Sequence, residues 1–186
     1  MRRELDAYLT PWWVTDVLLE RVSVFGHVCE PCAGMGDIVG PVALAPRVTQ
    51  VSTNDLDPHY DTATHLDATD LAFWRDQSFD WVVTNPPFLV ADKIIPLAVA
   101  HAGNVAMLLR LTYLEPCEGR ATWLAQHPPS HLIVLPRISF TGDGKTDSVT
   151  CAWMVWGSRY QQSIEIVPRA SSTAAVAPLF TAAEAP

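Results

Sequence analysis

The chain has 186 residues, 49% of them hydrophobic and 17% charged, with a mean hydropathy of +0.14. That is enough apolar material for one core and too much for a chain that stays unfolded throughout. Twelve basic against twenty acidic residues leave a net charge of −8, which excludes a histone-like protein that grips phosphates with its whole surface.

The opening MRRELDAYLT has two arginines but no apolar stretch behind them, so a secretory signal is not expected. No later run reaches membrane-spanning length, and the expectation is a cytoplasmic protein. Pro11–Arg21 predicts a helix, with Thr10 and Pro11 in the N-cap and first helical positions. Val24–Cys29 predicts a strand running into Glu30 and a glycine turn, Ile38–Ala45 a helix, and Arg47–Thr53 a second strand ending in NDLDP. His65–Leu66 predicts a brief third strand, followed by a short helix near Asp70–Asp76. FDWVVT, Phe79–Thr84, predicts a buried strand stopped by two prolines. Beyond it come a helix over Asp92–His101 with Pro96 inside, a strand over Val105–Leu111, a helix over Gly119–Gln126 and a strand over His131–Phe140. The turn-rich loop Thr141–Thr150 leads to a last strand at Cys151–Gly157, as in a hairpin with a long connection. From Pro168 the sequence is dominated by Ala, Pro, Ser and Thr without amphipathic period, which predicts a disordered tail over 168–186 and one domain over 1–167. Strands alternating with helices predict an α/β fold, a mostly parallel sheet ending in an antiparallel hairpin.

In such sheets ligands sit beyond the carboxyl ends of the strands, and the unusual residues of this chain fall there. After the first strand comes EPCAGMGD, with Gly34 and Gly36 one residue apart between strand and helix. Glycines there let backbone approach a ligand, or they form a plain tight turn. Glu30 at the strand tip disfavours a pyrophosphate and suits an ammonium group. Asp55 follows Gly36 by nineteen positions, close to the roughly 20 at which doubly wound nucleotide binders place an acid for ribose hydroxyls. Asp67 either accepts from an adenine amino group or caps the helix behind it. Asn85-Pro86-Pro87-Phe88, directly after FDWVVT, is the sharpest signal. Two prolines remove two N–H donors and leave amide and carbonyl oxygens beside an aromatic ring. Such a cluster suits a planar amine, its N–H groups on the oxygens and its face on the ring.

Together these motifs resemble the class I S-adenosylmethionine-dependent methyltransferases, specifically the adenine-N6 type with its (N/D)PP(Y/F) motif, over roughly Tyr8 to Gly157. YLTPWW, EPCAGMGD, DLDP, LDATD and NPPF follow the order of the gamma-class DNA adenine methyltransferases. The resemblance implies a Rossmann-like fold and S-adenosylmethionine as cofactor. It implies that Thr10, Glu30, Ala33, Gly34, Gly36, Asp55, Leu56, Asp67 and Asn85 hold that cofactor. Asn85, Pro86 and Phe88 would hold the target, with Phe140 as a second ring against the base. A base in a duplex would have to be flipped out to reach them.

Cys29 and Cys32 form a lone C-x-x-C with no second pair, and no metal is expected. The Trp residues are expected in the core, with Trp12 or Trp13 at the edge of the cofactor pocket. No insertion is long enough for a target-recognition module, which leaves room for a separate recognition subunit. Arg110, Arg137 and Lys145 form the one basic patch to expect. Three substrates follow in order: DNA, structured RNA, and a protein glutamine amide, the last favoured by the net charge. A non-enzymatic scaffold is disfavoured by the intact NPPF and acids.

Overall fold

The computed structural model describes residues 9–140, 148–157 and 163–167. The expected tail, the loop residues 141–147 and Lys145 among them lie outside the described residues.

Helix α1 (Trp12–Arg21) starts at Pro11, whose φ of −58° suits a helix start and whose carbonyl accepts from the Val14 amide at 2.9 Å. Thr10 stands before it and its side chain caps nothing, because it is engaged elsewhere. Strand β1 (Gly26–Glu30), helix α2 (Val39–Ala43) and strand β2 (Val48–Thr53) make a parallel crossover unit. Helix α3 (Leu71–Trp74) is capped by Asp70, whose carboxylate accepts from the Ala72 amide at 2.9 Å. Strand β3 (Phe79–Thr84), helix α4 (Ala91–His101) and strand β4 (Ala102–Arg110) follow, with Pro96 accommodated inside α4. A 3-10 turn (Leu111–Leu114) and helix α5 (Ala121–Gln126) lead to strands β5 (His131–Val134), β6 (Cys151–Gly157) and β7 (Ser163–Ile166).

The sheet has seven strands in the order β2-β1-β3-β4-β6-β5-β7. All described pairings are parallel except those of β6, which runs against both β4 and β5. The chain winds outward from β1 to β2 on one side and to β3 on the other, so the crevice between the tips of β1 and β3 is the topological switch point. A hydrophobic cluster covers each face. Along β4, Val105, Met107 and Leu109 enter one cluster while Ala106 and Leu108 enter the other. Burial on both faces is why FDWVVT reads as a continuous apolar run rather than an alternating one. Trp153 fixes α1 to the sheet through a buried hydrogen bond from its Nε1 to the Val14 carbonyl at 2.7 Å.

Several elements differ from expectation. The expected third strand is a single bridge between Asn54 and Thr64. The fifth strand stops at Val134, two residues before Pro136, which has no N–H to continue a ladder. Helix α5 begins two residues late, because Gly119 adopts a left-handed φ of 87°. The expected antiparallel pair is there, β5 with β6, and β7 adds a parallel edge strand beyond β5 that the sequence did not announce. Among the described residues no helix is long and apolar enough to cross a membrane.

Candidate functional site

A cleft of about 170 Å³ opens at the switch point. Its walls include Thr10, Ala33, Gly34, Asp55, Leu56, Asp67 and Asn85, seven of the residues expected to meet a cofactor. Asp37 and Asp57 bring the number of aspartates lining it to four, with no lysine or arginine among the described lining residues. A cleft of that charge repels polyphosphate and favours a cation. Leu66, Ala68, Val90 and Ile94 give it an apolar wall suited to a flat ring.

Asp55 is tied into the glycine loop. Its Oδ2 accepts from the Gly34 amide at 2.8 Å and its Oδ1 from the Asp57 amide at 2.9 Å, leaving one further lone pair on each oxygen. Gly34 has a φ of +51°, and a Cβ built on it would meet nothing within 4 Å, because that side faces open space. Gly36, at φ +85°, is not in the wall; it turns the loop toward α2. Asp67 is not a helix cap, since Asp70 has that role. Its Oδ1 accepts from both the Thr69 hydroxyl and amide, which together hold its carboxyl below the ordinary range.

Asn54 organises this end of the cleft, and sequence reasoning passed over it as part of a turn. It is 1% exposed, and its amide makes four hydrogen bonds: Nδ2 donates to the Pro31 and Leu66 carbonyls, while Oδ1 accepts from the Leu66 amide and Thr64 hydroxyl. One side chain thus does what a third strand would have done, binding the glycine loop to the segment that carries Asp67. A buried amide with all its capacity met is rigid. The signal in the sequence was an Asn at a strand end, which turns also favour.

On the other wall, Asn85 follows β3 and its Nδ2 donates to the Thr10 hydroxyl at 3.0 Å. Thr10 is 3% exposed, and its own amide donates to Asp37 Oδ2 at 3.0 Å. With one branch of the Asn85 amide held this way, the oxygen is the branch left to accept from a ligand. Asp37, quoted only as the end of the glycine motif, therefore anchors the Thr10 segment.

Glu30 stands behind the loop rather than in the cleft wall, at 1% exposure. Its Oε1 accepts from the Cys32 amide at 3.0 Å; Oε2 makes no hydrogen bond of good geometry, although the Thr84 hydroxyl lies beside it. Burial pushes its pKa up to about 8, opposed by Thr84 and the Cys32 amide and reinforced by Asp55. Burial, with the Glu30 charge adding, also raises the Cys29 and Cys32 thiols well above their ordinary range. Such thiols are poor nucleophiles and poor metal ligands at neutral pH.

Of the expected target residues, Pro86 is buried and Phe88 is half-buried against one core cluster, outside the cleft wall. Phe140 is 5% exposed and belongs to the core cluster on the other face of the sheet from the one Phe88 packs against. Four Trp residues, 74, 81, 153 and 156, are core as expected, but Trp12 is 61% exposed and Trp13 39%, and neither lines the cleft.

No family model and no curated protein matches the sequence. Solved structures do match the fold. A candidate RNA methyltransferase from Pyrococcus horikoshii superposes with a TM-score of 0.62 at 15% identity, over 82% of this chain and 87% of that one. A methyltransferase subunit of a type I restriction-modification system from Streptococcus thermophilus gives 0.55 at 14% identity, over 78% of this chain and 42% of the subunit. The chain has the Rossmann-like fold of these methyltransferases. A candidate hemolysin from Lactococcus lactis shares it as well, with a TM-score of 0.57 at 12% identity over 86% of this chain and 94% of that one. Fold alone therefore does not name the reaction, and the site must.

Proposed function

We propose that this protein is an S-adenosylmethionine-dependent methyltransferase that modifies the N6 amino group of adenine in nucleic acid, DNA ahead of RNA. One observation carries the reading: Asn85, held by Thr10 with its oxygen left to accept, lines an acidic cleft at the switch point. The residues fit the cofactor. The open side of Gly34 leaves room for it, the aspartates favour its positive charge, and the apolar wall suits its adenine.

When bound, S-adenosylmethionine supplies a methyl group on a sulfonium, already a good leaving group. The protein's task is then to hold and align. Asp55 would take the ribose hydroxyls on its two remaining lone pairs, Asp67 the adenine amino group on its free oxygen, and Thr10, Ala33 and Gly34 would line the rest. Leu56 would pack beside the adenine. Glu30 would act through the loop, by way of the Cys32 amide. The Asn85 oxygen and Pro86 carbonyl would accept the two target amino hydrogens, which draws the nitrogen lone pair out of ring conjugation and favours charge developing there. The methylated nitrogen then gives up one of those hydrogens to solvent. A target base would leave its duplex stack to reach this point.

A glutamine side-chain amide is the second reading, because it presents the same planar NH₂ to the same two acceptors and the net charge of −8 does not favour polyanions. Transfer of labelled methyl to plasmid DNA, total RNA and a protein extract in parallel separates the readings. Label should enter DNA first; label in protein alone would replace this reading with the second.

A further inference from the structure

Arg110 is the last residue of β4, the strand beside β3, so strand order brings its side chain to the NPPF turn. Its guanidinium carbon lies 4.6 Å from the centroid of the Phe88 ring. Among the described residues no carboxylate pairs with it, and its Nε is buried without a hydrogen-bond partner. Arg120 makes the contrast. It lies over the Tyr113 ring at the same 4.6 Å, but Asp92 holds it through an ion pair at 3.3 Å. A guanidinium held, among the described residues, by a ring and no carboxylate, with one donor unmet, gives way to a better stacking partner. A purine is such a partner.

We propose that Phe88 exchanges Arg110 for the target base. In the free protein the guanidinium holds the base's stacking place; when the base enters, Arg110 is released to the phosphate beside it. The inference rests on the nucleic-acid reading above. A glutamine amide has no aromatic ring to take over the stack, so it would leave Arg110 where it is. The planar guanidinium fork matches phosphate oxygens, and on a chain of net charge −8 an arginine on the Phe88 ring, with no carboxylate partner among the described residues, is the contact a strand would find. Arg110 is thus a specificity residue that favours flat aromatic amines carried on a phosphate backbone.

NMR of the arginine side chains in the full-length protein follows the exchange, with the Arg110 Nε–Hε signal assigned by its loss in Arg110→Met. In the free protein that signal should carry an upfield ring-current shift that disappears in Phe88→Leu. Adding the adenine-containing oligonucleotide that accepts label best should return it to its ordinary position. In kinetics, Arg110→Met should raise KM for that oligonucleotide about tenfold, change kcat less than about twofold, and lower the salt slope by about one; Arg110→Lys should restore the slope. A signal that stays put while the protein methylates the oligonucleotide overturns the exchange and leaves the nucleic-acid reading standing. A signal unmoved by any oligonucleotide, with label entering protein only, overturns both.

Discussion

Asn85 is the side chain on which the proposed chemistry turns. Asn85→Ala removes one preorganised acceptor, and methyl transfer should fall about 10²-fold or more in single-turnover kinetics. Asn85→Asp keeps an oxygen at the same place, and the Thr10 hydroxyl can turn to donate to it, so measurable activity should survive. Asp55→Ala should weaken donor binding by about 1.5–3 kcal/mol, the scale of a charge-assisted hydrogen bond; calorimetry reads this directly, and unchanged affinity would remove Asp55 from the site. Glu30 offers a pH test. Its folded pKa of about 8 lies above the ordinary 4.5, so between those values the folded state holds a proton that the unfolded state has lost. Stability from this group is therefore full below about pH 4.5, declines as pH rises, and levels off above about pH 8. Melting temperatures of wild type and Glu30→Gln across that window should converge at the acid end and diverge in favour of Gln at the alkaline end. Parallel curves would show that Glu30 is not protonated in the fold.

At the scale of elements, the ones that build the site act through single buried contacts. Asn54→Ala would leave the Pro31 and Leu66 carbonyls and the Leu66 amide without their partner, costing about 2–4 kcal/mol at about 1 kcal/mol or more per lost bond. Chemical denaturation should show that loss together with weaker donor binding; stability lost with binding intact would separate Asn54 from the cleft. The same residue explains what the sequence concealed. Strands buried on both faces, such as Phe79–Thr84, announce themselves as apolar runs, and the alternation around them is enough to place β1, β2 and α4 within a few residues. The link between β2 and α3 carries no such run, because a side-chain amide does the work of backbone pairing. Strand β7 was hidden for a related reason: Ile164 and Ile166 are 74% and 75% exposed, and the strand exists through its parallel ladder with β5, a non-local contact. That Asp55, Asp67, Gly34 and Asn85 line one cleft was legible because each follows a strand or bridge at the carboxyl end of the sheet, where the switch point opens. Spacing along the chain did not say which face of the sheet an aromatic ring joins, and Phe140 packs in the cluster opposite the one beside Phe88.

At the scale of the whole molecule, the proposed nucleic-acid substrate would meet an acidic protein of 186 residues through few contacts. Arg110 is half-buried on Phe88 and Arg137 is exposed. Two neutralised phosphates give a shallow salt dependence, about tenfold in affinity between 50 and 200 mM salt. Steeper loss would reveal a larger basic surface or a partner that supplies one. The central claim is the identity of the methylated group, and the most direct measurement is mass spectrometry of nucleosides and amino acids hydrolysed from a single-turnover reaction on DNA in the presence of protein extract. Wild type should yield N6-methyldeoxyadenosine, and Asn85→Ala should yield about 100-fold less; N-methylglutamine with unmodified deoxyadenosine would contradict the account.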